Sequence, residues 1–206
     1  MAQVRKPEMR RRIEQAALEQ FAERGYAGAS IASIAAAAGT APANVYRYVA
    51  DKADLFAQVV PHALVERHDE LLDRRIASLG AAAGAGAGAQ RRDPAGSLGP
   101  ASELLAFWVE HRLQVVILLD RAEGTPLADE PRRFVGRLTD HLERRAGALD
   151  PVRRRLVELV FDNTRRAIAT ILASTGDPAE LRLLIEGFWS YQVPGLDGLV
   201  GWQPRT

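Results

Sequence analysis

The chain has 206 residues, of which 47% are hydrophobic, and its 27 Lys and Arg residues nearly balance 26 Asp and Glu residues. This length allows one small domain and one larger domain with a buried core. Because the chain has no cysteine, disulfides, thiolate metal sites and cysteine nucleophiles are excluded. No apolar run approaches the roughly 20 residues of a membrane span, and no signal-peptide segment begins the chain. We therefore expect a cytoplasmic protein.

The first predicted element is an amphipathic helix over residues 10–24. Its apolar side chains recur every three or four residues, at Ile13, Ala16, Ala17 and Phe21. Gly25 ends this helix, and Ser30 is a suitable N-cap for a second helix that begins at Ile31. Two consecutive helices joined by a short link are therefore expected.

Residues 31–48 predict a helix-turn-helix. Ala35 has the small side chain that two steeply crossing helices need where they approach. Gly39 lies where the chain needs a positive φ to turn sharply, and the fixed φ of Pro42 suits the first turn of the next helix. The small core of the unit is expected to contain Ile31, Ile34, Ala38 and Val45. The remaining polar and aromatic side chains point outward, as needed to enter a DNA groove.

Two sequence blocks carry a resemblance to a known family. Residues 21–26 have the pattern Phe-x-x-x-Gly-Tyr, and residues 39–55 have the pattern Gly-x-x-x-x-x-x-Tyr-x-Tyr-x-x-x-Lys-x-x-Leu. In this order and spacing they resemble the TetR/AcrR transcriptional regulators over roughly the first sixty residues. The chain departs from the family pattern at Thr40, which replaces an apolar residue, at Ala41, which replaces a capping serine, and at Val49, which replaces phenylalanine.

The resemblance implies an all-α fold with two domains. Residues 1–52 would form a three-helix helix-turn-helix DNA-binding domain, and residues 53–206 would form a helical effector-binding and dimerisation domain. Losing the serine cap typically costs about 1 kcal/mol. Pro42 and the Thr40 hydroxyl could offset part of that cost.

Several residues of the first domain are predicted to contact DNA. Tyr46, Tyr48 and Lys52 resemble the family's phosphate contacts. Asn44 and Arg47 are candidates for contacts with base edges, because asparagine pairs with adenine and arginine with guanine, and Ala43 lies beside them. Arg47 could equally reach a phosphate. The alternative is a solvated helix face with one tyrosine packed beneath it. The predicted DNA-binding residues are Ser30, Thr40, Ala43, Asn44, Tyr46, Arg47, Tyr48 and Lys52.

The charge distribution agrees with a DNA-binding N-terminus. Up to Lys52 the chain has eight basic and five acidic residues, whereas the remainder is slightly acidic. Such asymmetry is typical of a domain that meets a polyanion. The basic cluster over residues 5–12 is either a mobile arm that contacts DNA or a solvated terminus.

The chain after Lys52 is also predicted to be helical. Residues 53–79 form a helix that Pro61 kinks or splits. The Gly/Ala-rich residues 80–100 predict a flexible loop, with a ligand lid as the alternative. Further helices are expected over residues 102–121, beginning at Ser102, over residues 131–147, over residues 151–174, and from residue 178 to about residue 199. No long stretch alternates apolar and polar residues, so no sheet is expected.

In the resembled family the last two helices pair with those of a second subunit in a four-helix bundle, which implies a homodimer. Pro194 and Gly195 are expected to interrupt the final helix, and the residues beyond them could wrap across the partner. The positions expected on the pairing helices are Leu156, Leu159, Val160, Asn163, Ala167, Ile171, Leu181, Leu184, Ile185, Phe188, Trp189 and Tyr191.

The second domain carries polar and aromatic residues on otherwise apolar helices, the mixture that lines ligand pockets. We expect a small organic effector, apolar or amphipathic, and no metal or cofactor, since the four histidines are scattered. The candidate ligand-binding residues are Trp108, His111, Arg112, Phe134, His141, Asn163 and Arg166, with Asp120 and Trp189 as further candidates.

The expected function is DNA-binding transcriptional regulation. We expect a repressor that binds a palindromic operator as a homodimer and is released from it by an effector. Activation of transcription is the open alternative. A second alternative is a DNA-binding dimer without an effector, acting as an architectural or partner-assembled factor. An enzyme is not expected, because no His-Glu-x-x-His, Gly-x-Ser-x-Gly or phosphate-binding glycine motif is present.

Overall fold

The computed structural model describes residues 6–82 and 99–202, and within these ranges it contains helices and no strand. This confirms the all-α fold. The ten α-helices are α1 (Lys6–Gly28), α2 (Ile31–Ala37), α3 (Pro42–Val45), α4 (Lys52–Val59), α5 (His62–Ala82), α6 (Pro100–Glu110), α7 (Arg112–Val116), α8 (Glu130–Ala146), α9 (Pro151–Ser174) and α10 (Pro178–Gly201). A π-helical turn, Ile117–Arg121, follows α7 directly.

The predicted local signals of the helix-turn-helix are confirmed. Gly25 has a φ of 70° and breaks the helical geometry within α1. Ser30 caps α2 in a capping box, in which its side chain accepts a hydrogen bond from the Ser33 amide and the Ser33 hydroxyl accepts one from the Ser30 amide. Gly39 has a φ of 66°, and Pro42 begins α3. Residue choice at single positions therefore accounts for where these helices begin and end.

Three helix boundaries in the second half differ from the expectation. The helix expected to begin at Ser102 begins at Pro100 with Gly99 as its N-cap, and it breaks at His111, where φ is −108°. Pro194 does not interrupt α10, which continues to Gly201.

The prediction that Pro61 kinks or splits the helix over residues 53–79 is confirmed. The chain is split at this proline into α4 and α5. The start of the expected flexible loop is helical instead, because α5 runs to Ala82, while the rest of that loop, residues 83–98, lies outside the described residues.

One hydrophobic core links the N-terminal helices to the rest of the molecule. The rings of Phe21 and Phe56 lie 5.4 Å apart and join α1 to α4, and Phe21 is fully buried. The same buried cluster extends through the π-helical turn to α9 and α10, where Leu172 and Leu181 are fully buried. A displacement of α4 or α5 would therefore strain the packing of α1.

The C-terminal helices complete this core. α9 packs against α7, α8 and α10. Leu181 and Ile185 of α10 are fully buried inside their own chain, so these two of the positions expected on the pairing helices pack within one subunit. No helix within residues 6–82 and 99–202 has the length and apolarity needed to cross a membrane.

Candidate nucleic-acid interface

The turn between α2 and α3 is held by two backbone hydrogen bonds to α2. The Thr40 amide donates to the Ala35 carbonyl over 2.9 Å, and the Gly39 amide donates to the Ala36 carbonyl over 3.0 Å. Ala35 is fully buried, in agreement with the need for a small side chain at the helix crossing. The turn is thus closed by backbone bonds before α3 begins.

Arg12 stabilises this turn from outside the helix-turn-helix. Its guanidinium donates a 2.6 Å hydrogen bond to the Ala38 carbonyl, at the C-terminal end of α2, where an unpaired carbonyl and the negative end of the helix dipole favour a cation. A Cβ on Gly39 would lie 2.6 Å from the same guanidinium. Arg12 was expected in a basic cluster that is either a mobile arm or a solvated terminus, but residues 6–12 belong to α1, and the contact joins residues 26 apart. No local pattern in the sequence indicates it.

α3 is a single turn that divides its side chains between the core and the surface. Val45 is fully buried, whereas Tyr46, directly after it, is 56% exposed. Ala43 and Arg47 are also exposed, and Tyr48 is half-buried. Ala41 makes no side-chain capping bond, as expected from the loss of the family's serine at that position. Five of the predicted DNA-binding residues thus lie on one short segment that follows a rigid turn.

Asn44 has a defined side-chain partner. Its Nδ2 atom donates a 2.8 Å hydrogen bond to the Thr40 hydroxyl, and both side chains are half-buried. The Thr40 backbone is itself fixed to Ala35 through its amide. Among the side chains predicted to contact bases, Asn44 is therefore hydrogen-bonded to the turn between α2 and α3.

Two further predicted DNA-binding residues, Lys52 and Ser30, also make hydrogen bonds within the N-terminal unit. The Lys52 ammonium donates to the Tyr26 carbonyl over 2.8 Å and to the Ala29 carbonyl over 3.1 Å, and it lies 4.2 Å from the centre of the Tyr26 ring. The Ser30 hydroxyl is engaged in the capping box of α2. An ammonium has three donors, so one N–H of Lys52 is available beyond these two carbonyls.

The candidate effector residues are not gathered into one pocket. Trp108 and Phe134 are buried, His111, Arg112 and His141 are half-buried, and Asn163 and Arg166 are exposed on α9. Arg112 donates to the Leu172 carbonyl over 3.3 Å, and the Arg166 guanidinium bonds the Asp162 carboxylate over 2.8 Å. Spacing along a helix could not separate the inward face from the outward face of α9, because both faces carry polar residues.

A small polar cavity lies between α5, α8 and the π-helical turn. It has a volume of about 10 Å³, the size of one water molecule. Phe134 lines it together with residues that the sequence analysis did not select: His68, Asp69, Leu72, Leu118, Leu119, Glu130 and Arg137. The Arg137 guanidinium bonds the Asp69 carboxylate and so joins α8 to α5.

Two of the polar groups at this cavity are buried. His68 is 4% exposed and its Nε2 has no hydrogen-bond partner, while Glu130 is 7% exposed. The Glu130 carboxylate lies 2.9 Å from the Arg133 guanidinium, and burial nonetheless raises the pKa of Glu130. A carboxyl and an imidazole with unused bonding capacity can bind a small polar group.

A larger, more open cleft of about 290 Å³ adjoins this region between α5 and α8. Two acids, Asp73 and Asp140, and two arginines, Arg137 and Arg144, line it together with His141. Burial, together with the charges of Arg144 and Arg145, lowers the pKa of His141. The lining is therefore mostly charged, and His141 is the one predicted ligand-binding residue in it.

The comparisons with known proteins agree with the helix-turn-helix geometry. Residues 13–59 match the family model of the bacterial regulatory proteins of the tetR family. No curated protein sequence matches the chain significantly. Among solved structures, the fatty acid degradation regulator FadR from Bacillus halodurans is similar with 16% identity and a TM-score of 0.43, covering 98% of this chain and 100% of that one.

Two further solved structures are similar to the chain. NalD, the secondary repressor of the MexAB-OprM multidrug efflux pump in Pseudomonas aeruginosa, shares 20% identity over 89% of this chain and 95% of that one, with a TM-score of 0.37. A putative tetR family transcription regulator from Shewanella sp. PV-4 shares 18% identity over 89% and 97%, with a TM-score of 0.35. The match over residues 13–59 and the geometry of the turn together identify the N-terminal part of the chain as a DNA-binding helix-turn-helix of the tetR type.

Proposed function

We propose that the chain is a homodimeric repressor that binds a palindromic operator and is released by a small organic effector. The observation that carries the proposal is the α3 segment, on which exposed Tyr46 and Arg47 follow fully buried Val45. An exposed aromatic and an exposed cation on a rigidly held turn suit contact with a nucleic acid. Residues 1–52 would read DNA, and residues 53–206 would bind the effector and the second subunit.

The proposed roles of the α3 segment follow side-chain chemistry. Tyr46 and Tyr48 would donate to backbone phosphates, and Lys52 would do so through its remaining N–H. Asn44 and Arg47 would read base edges in the major groove, with Ala43 in contact beside them. Thr40 and Ser30 would act at the edge of the interface, where each is already engaged in a hydrogen bond within the protein.

Support for a dimer comes from an exposed apolar surface on the last two helices. Apolar side chains that are between 41% and 76% exposed lie there: Val152, Leu159, Leu183, Leu184 and Tyr191. Val152 and Leu159 on α9, like Leu184 and Tyr191 on α10, are seven residues apart and so share a helix face. Contiguous exposed apolar surface of this kind is typical of protein–protein contacts. Two copies joined through α9 and α10 would place their α3 segments on half-sites about 34–36 Å apart, or a multiple of that spacing.

Sedimentation equilibrium tests the dimer. The expected mass is twice the 22.5 kDa of one chain, and Leu183→Glu is expected to reduce it to one copy. Arg182→Glu, at the neighbouring exposed position, is the control that also adds a carboxylate to α10. A wild-type protein that sediments as a monomer would contradict the proposal.

The proposed effector region is the cavity and cleft between α5 and α8. α5 is continuous in sequence with α4, and Lys52 at the start of α4 is bonded to the segment before α2. An effector that separates α5 from α8 would compete with the Arg137–Asp69 ion pair and shift α4 with it. The DNA affinity would fall by the coupling free energy, typically about 1–3 kcal/mol.

Selection of random duplex DNA by the purified protein tests DNA recognition. Enrichment of a two-fold symmetric sequence is expected, and Asn44→Ala should relax one base position in each half-site while leaving the others unchanged. A uniform loss of affinity across all sequences would contradict base reading by Asn44. A thermal-shift screen with small metabolites tests the effector, since a ligand of the folded state raises the melting temperature.

A DNA-binding dimer without an effector is the second candidate. The observation that favours it is the volume of the cavity at His68 and Glu130, which is only about 10 Å³. This candidate predicts selective DNA binding that no small molecule in the screen weakens.

A further inference from the structure

We propose that Thr40 is a positioning residue that fixes the Asn44 amide in the orientation that reads adenine. The inference rests on the proposed sequence-selective DNA binding by the α3 segment. It starts from one contact, the 2.8 Å hydrogen bond from Asn44 Nδ2 to the Thr40 hydroxyl oxygen.

Thr40 is itself immobilised, which is what makes it an effective anchor. Its amide donates to the Ala35 carbonyl over 2.9 Å, and Ala35 lies at the fully buried crossing of α2 and α3. A β-branched side chain also has a restricted χ1 angle. The Thr40 hydroxyl is therefore held at a defined position relative to α2 and the turn.

In this hydrogen bond the Thr40 hydroxyl accepts, so the asparagine amide faces Thr40 with its Nδ2 atom. One of the two hydrogens on Nδ2 points to Thr40, so the carbonyl oxygen Oδ1 and the second Nδ2 hydrogen are left for an outside partner. Adenine offers the complementary pair in the major groove, since its N6 amino group donates and its N7 accepts. Guanine offers two acceptors, N7 and O6, and would leave Oδ1 facing an acceptor.

Removing the Thr40 hydroxyl would free the amide to rotate and flip. A flipped amide presents its donors to guanine or to a phosphate, so the preference for adenine falls even though Asn44 is still present. The side chain would also lose the ordering that the hydrogen bond provides before DNA binds. Thr40 is thus assigned a specificity role without a direct base contact.

The test measures affinity for four duplexes that differ only at the base pair that Asn44→Ala relaxes. The wild-type protein is expected to prefer adenine there by about 5- to 100-fold. Thr40→Val, which keeps the shape of the side chain but removes the hydroxyl, is expected to lose most of that preference. Thr40→Ser, which keeps the hydroxyl, should retain it to within about twofold.

A second measurement does not depend on any variant folding correctly. A duplex with 7-deazaadenine at the same position lacks the N7 acceptor but pairs normally. The wild-type protein should bind it about 5- to 20-fold more weakly, since one bond of a bidentate pair is lost. Thr40→Val should not distinguish 7-deazaadenine from adenine.

The salt dependence of binding separates positioning from a phosphate contact. Thr40→Val should leave the slope of log affinity against log salt unchanged, because no phosphate contact is lost. A Thr40→Val protein that keeps the full adenine preference, or a wild-type protein indifferent to 7-deazaadenine, would overturn the inference and leave the proposed function intact. A wild-type protein without any sequence preference would overturn both.

Discussion

The ammonium of Lys52 is bonded to the carbonyl of Tyr26 and lies 4.2 Å from the centre of that residue's ring. The contact joins the first residue of α4 to the end of α1, and a second hydrogen bond, to Ala29, reaches the residue before the α2 cap. The helix that leads to the larger domain is therefore tied to the helix-turn-helix by a charged side chain. A movement of α4 would pull on the segment that carries α2.

Lys52→Met is expected to affect both stability and DNA binding. Loss of two hydrogen bonds from a charged donor and of the contact with the Tyr26 ring should lower the free energy of unfolding by about 1–3 kcal/mol. If the third N–H reaches a phosphate, the salt slope of DNA affinity should decrease by about 0.9. Urea denaturation at fixed protein concentration and DNA titrations at four salt concentrations measure the two effects.

Arg74→Met serves as the control, since it removes one positive charge from α5, where Arg74 bonds Glu103 over 2.7 Å. Its salt slope should equal that of the wild-type protein. An unchanged slope for Lys52→Met as well would exclude the phosphate contact and leave Lys52 with the internal role alone.

Gly39→Ala is expected to destabilise the turn in two ways. A φ of 66° costs an alanine about 1–2 kcal/mol, and the new Cβ would lie 2.6 Å from the Arg12 guanidinium that bonds Ala38. The total loss should be about 2–3 kcal/mol, measured by urea denaturation.

A double-mutant cycle with Arg12→Met separates the two causes. In the Arg12→Met background, Gly39→Ala should cost about 1 kcal/mol less, because only the backbone strain remains. Strict additivity of the two substitutions would show that the guanidinium adapts to the Cβ at no cost.

Arg165→Met is expected to be strongly destabilising. The Arg165 side chain is 6% exposed, and its guanidinium bonds the Asp162 carboxylate over 2.6 Å, the Asp120 carboxylate over 3.1 Å and the Leu119 carbonyl in the π-helical turn. Removing it leaves the carbonyl of buried Leu119 and the half-buried Asp120 carboxylate without this donor, at a cost of about 2–3 kcal/mol in the free energy of unfolding.

Arg166→Met is the matched control for Arg165, since Arg166 bonds the same carboxylate, that of Asp162, over 2.8 Å but is 64% exposed. Its loss should change the free energy of unfolding by less than about 1 kcal/mol. If the two substitutions lowered the free energy of unfolding equally, burial of the Arg165 guanidinium would not be the cause of its larger expected effect.

Glu130→Gln should stabilise the protein at neutral pH. Burial raises the pKa of Glu130 above its ordinary value of 4.5, so the folded state favours the protonated form. This group's contribution to stability is present below pH 4.5 and is lost as the pH rises through the folded pKa. The advantage of glutamine over glutamate should therefore be seen at pH 7.5 and disappear near pH 4, as measured by urea denaturation at both values.

Glu143→Gln should have the opposite effect and lower the free energy of unfolding at neutral pH. The hydrogen bond from Arg154 holds the pKa of Glu143 below 4.5, so its ionised form stabilises the folded state above that pH. The variant should be less stable than the wild-type protein at neutral pH, and the difference should decrease as the pH falls below 4.5. Parallel pH profiles for the two variants would contradict both assignments.

Much of the helix-turn-helix could be predicted because its determinants are local. Ser30, Gly39 and Pro42 act through backbone geometry within a few residues of themselves, and each lies in the structure where its chemistry requires. Pro61 likewise splits the helix that contains it. Pro194 has the same chemistry but does not end α10, which continues to Gly201.

The candidate site was less predictable where it depends on contacts between distant residues. Lys52 was selected as a phosphate contact, yet two of its donors bond carbonyls more than twenty residues away, and Arg12 was not selected although it holds the turn. Asn163 and Arg166 were expected at an effector site but lie on the exposed face of α9, while His68 and Glu130 at the cavity were not selected. A helical period defines faces but does not say which neighbour each face meets.

The amino-acid sequence by itself determined the all-α class, the helix-turn-helix and its likeness to the tetR family, because short-range backbone preferences and a local motif over residues 13–59 suffice for them. Only the tertiary structure decided that Thr40 bonds Asn44, that Lys52 joins α4 to Tyr26, and that Leu183 rather than Leu181 faces solvent. The physical reason is that burial and side-chain pairing are set by how the helices pack against one another, and the packing follows from the whole chain.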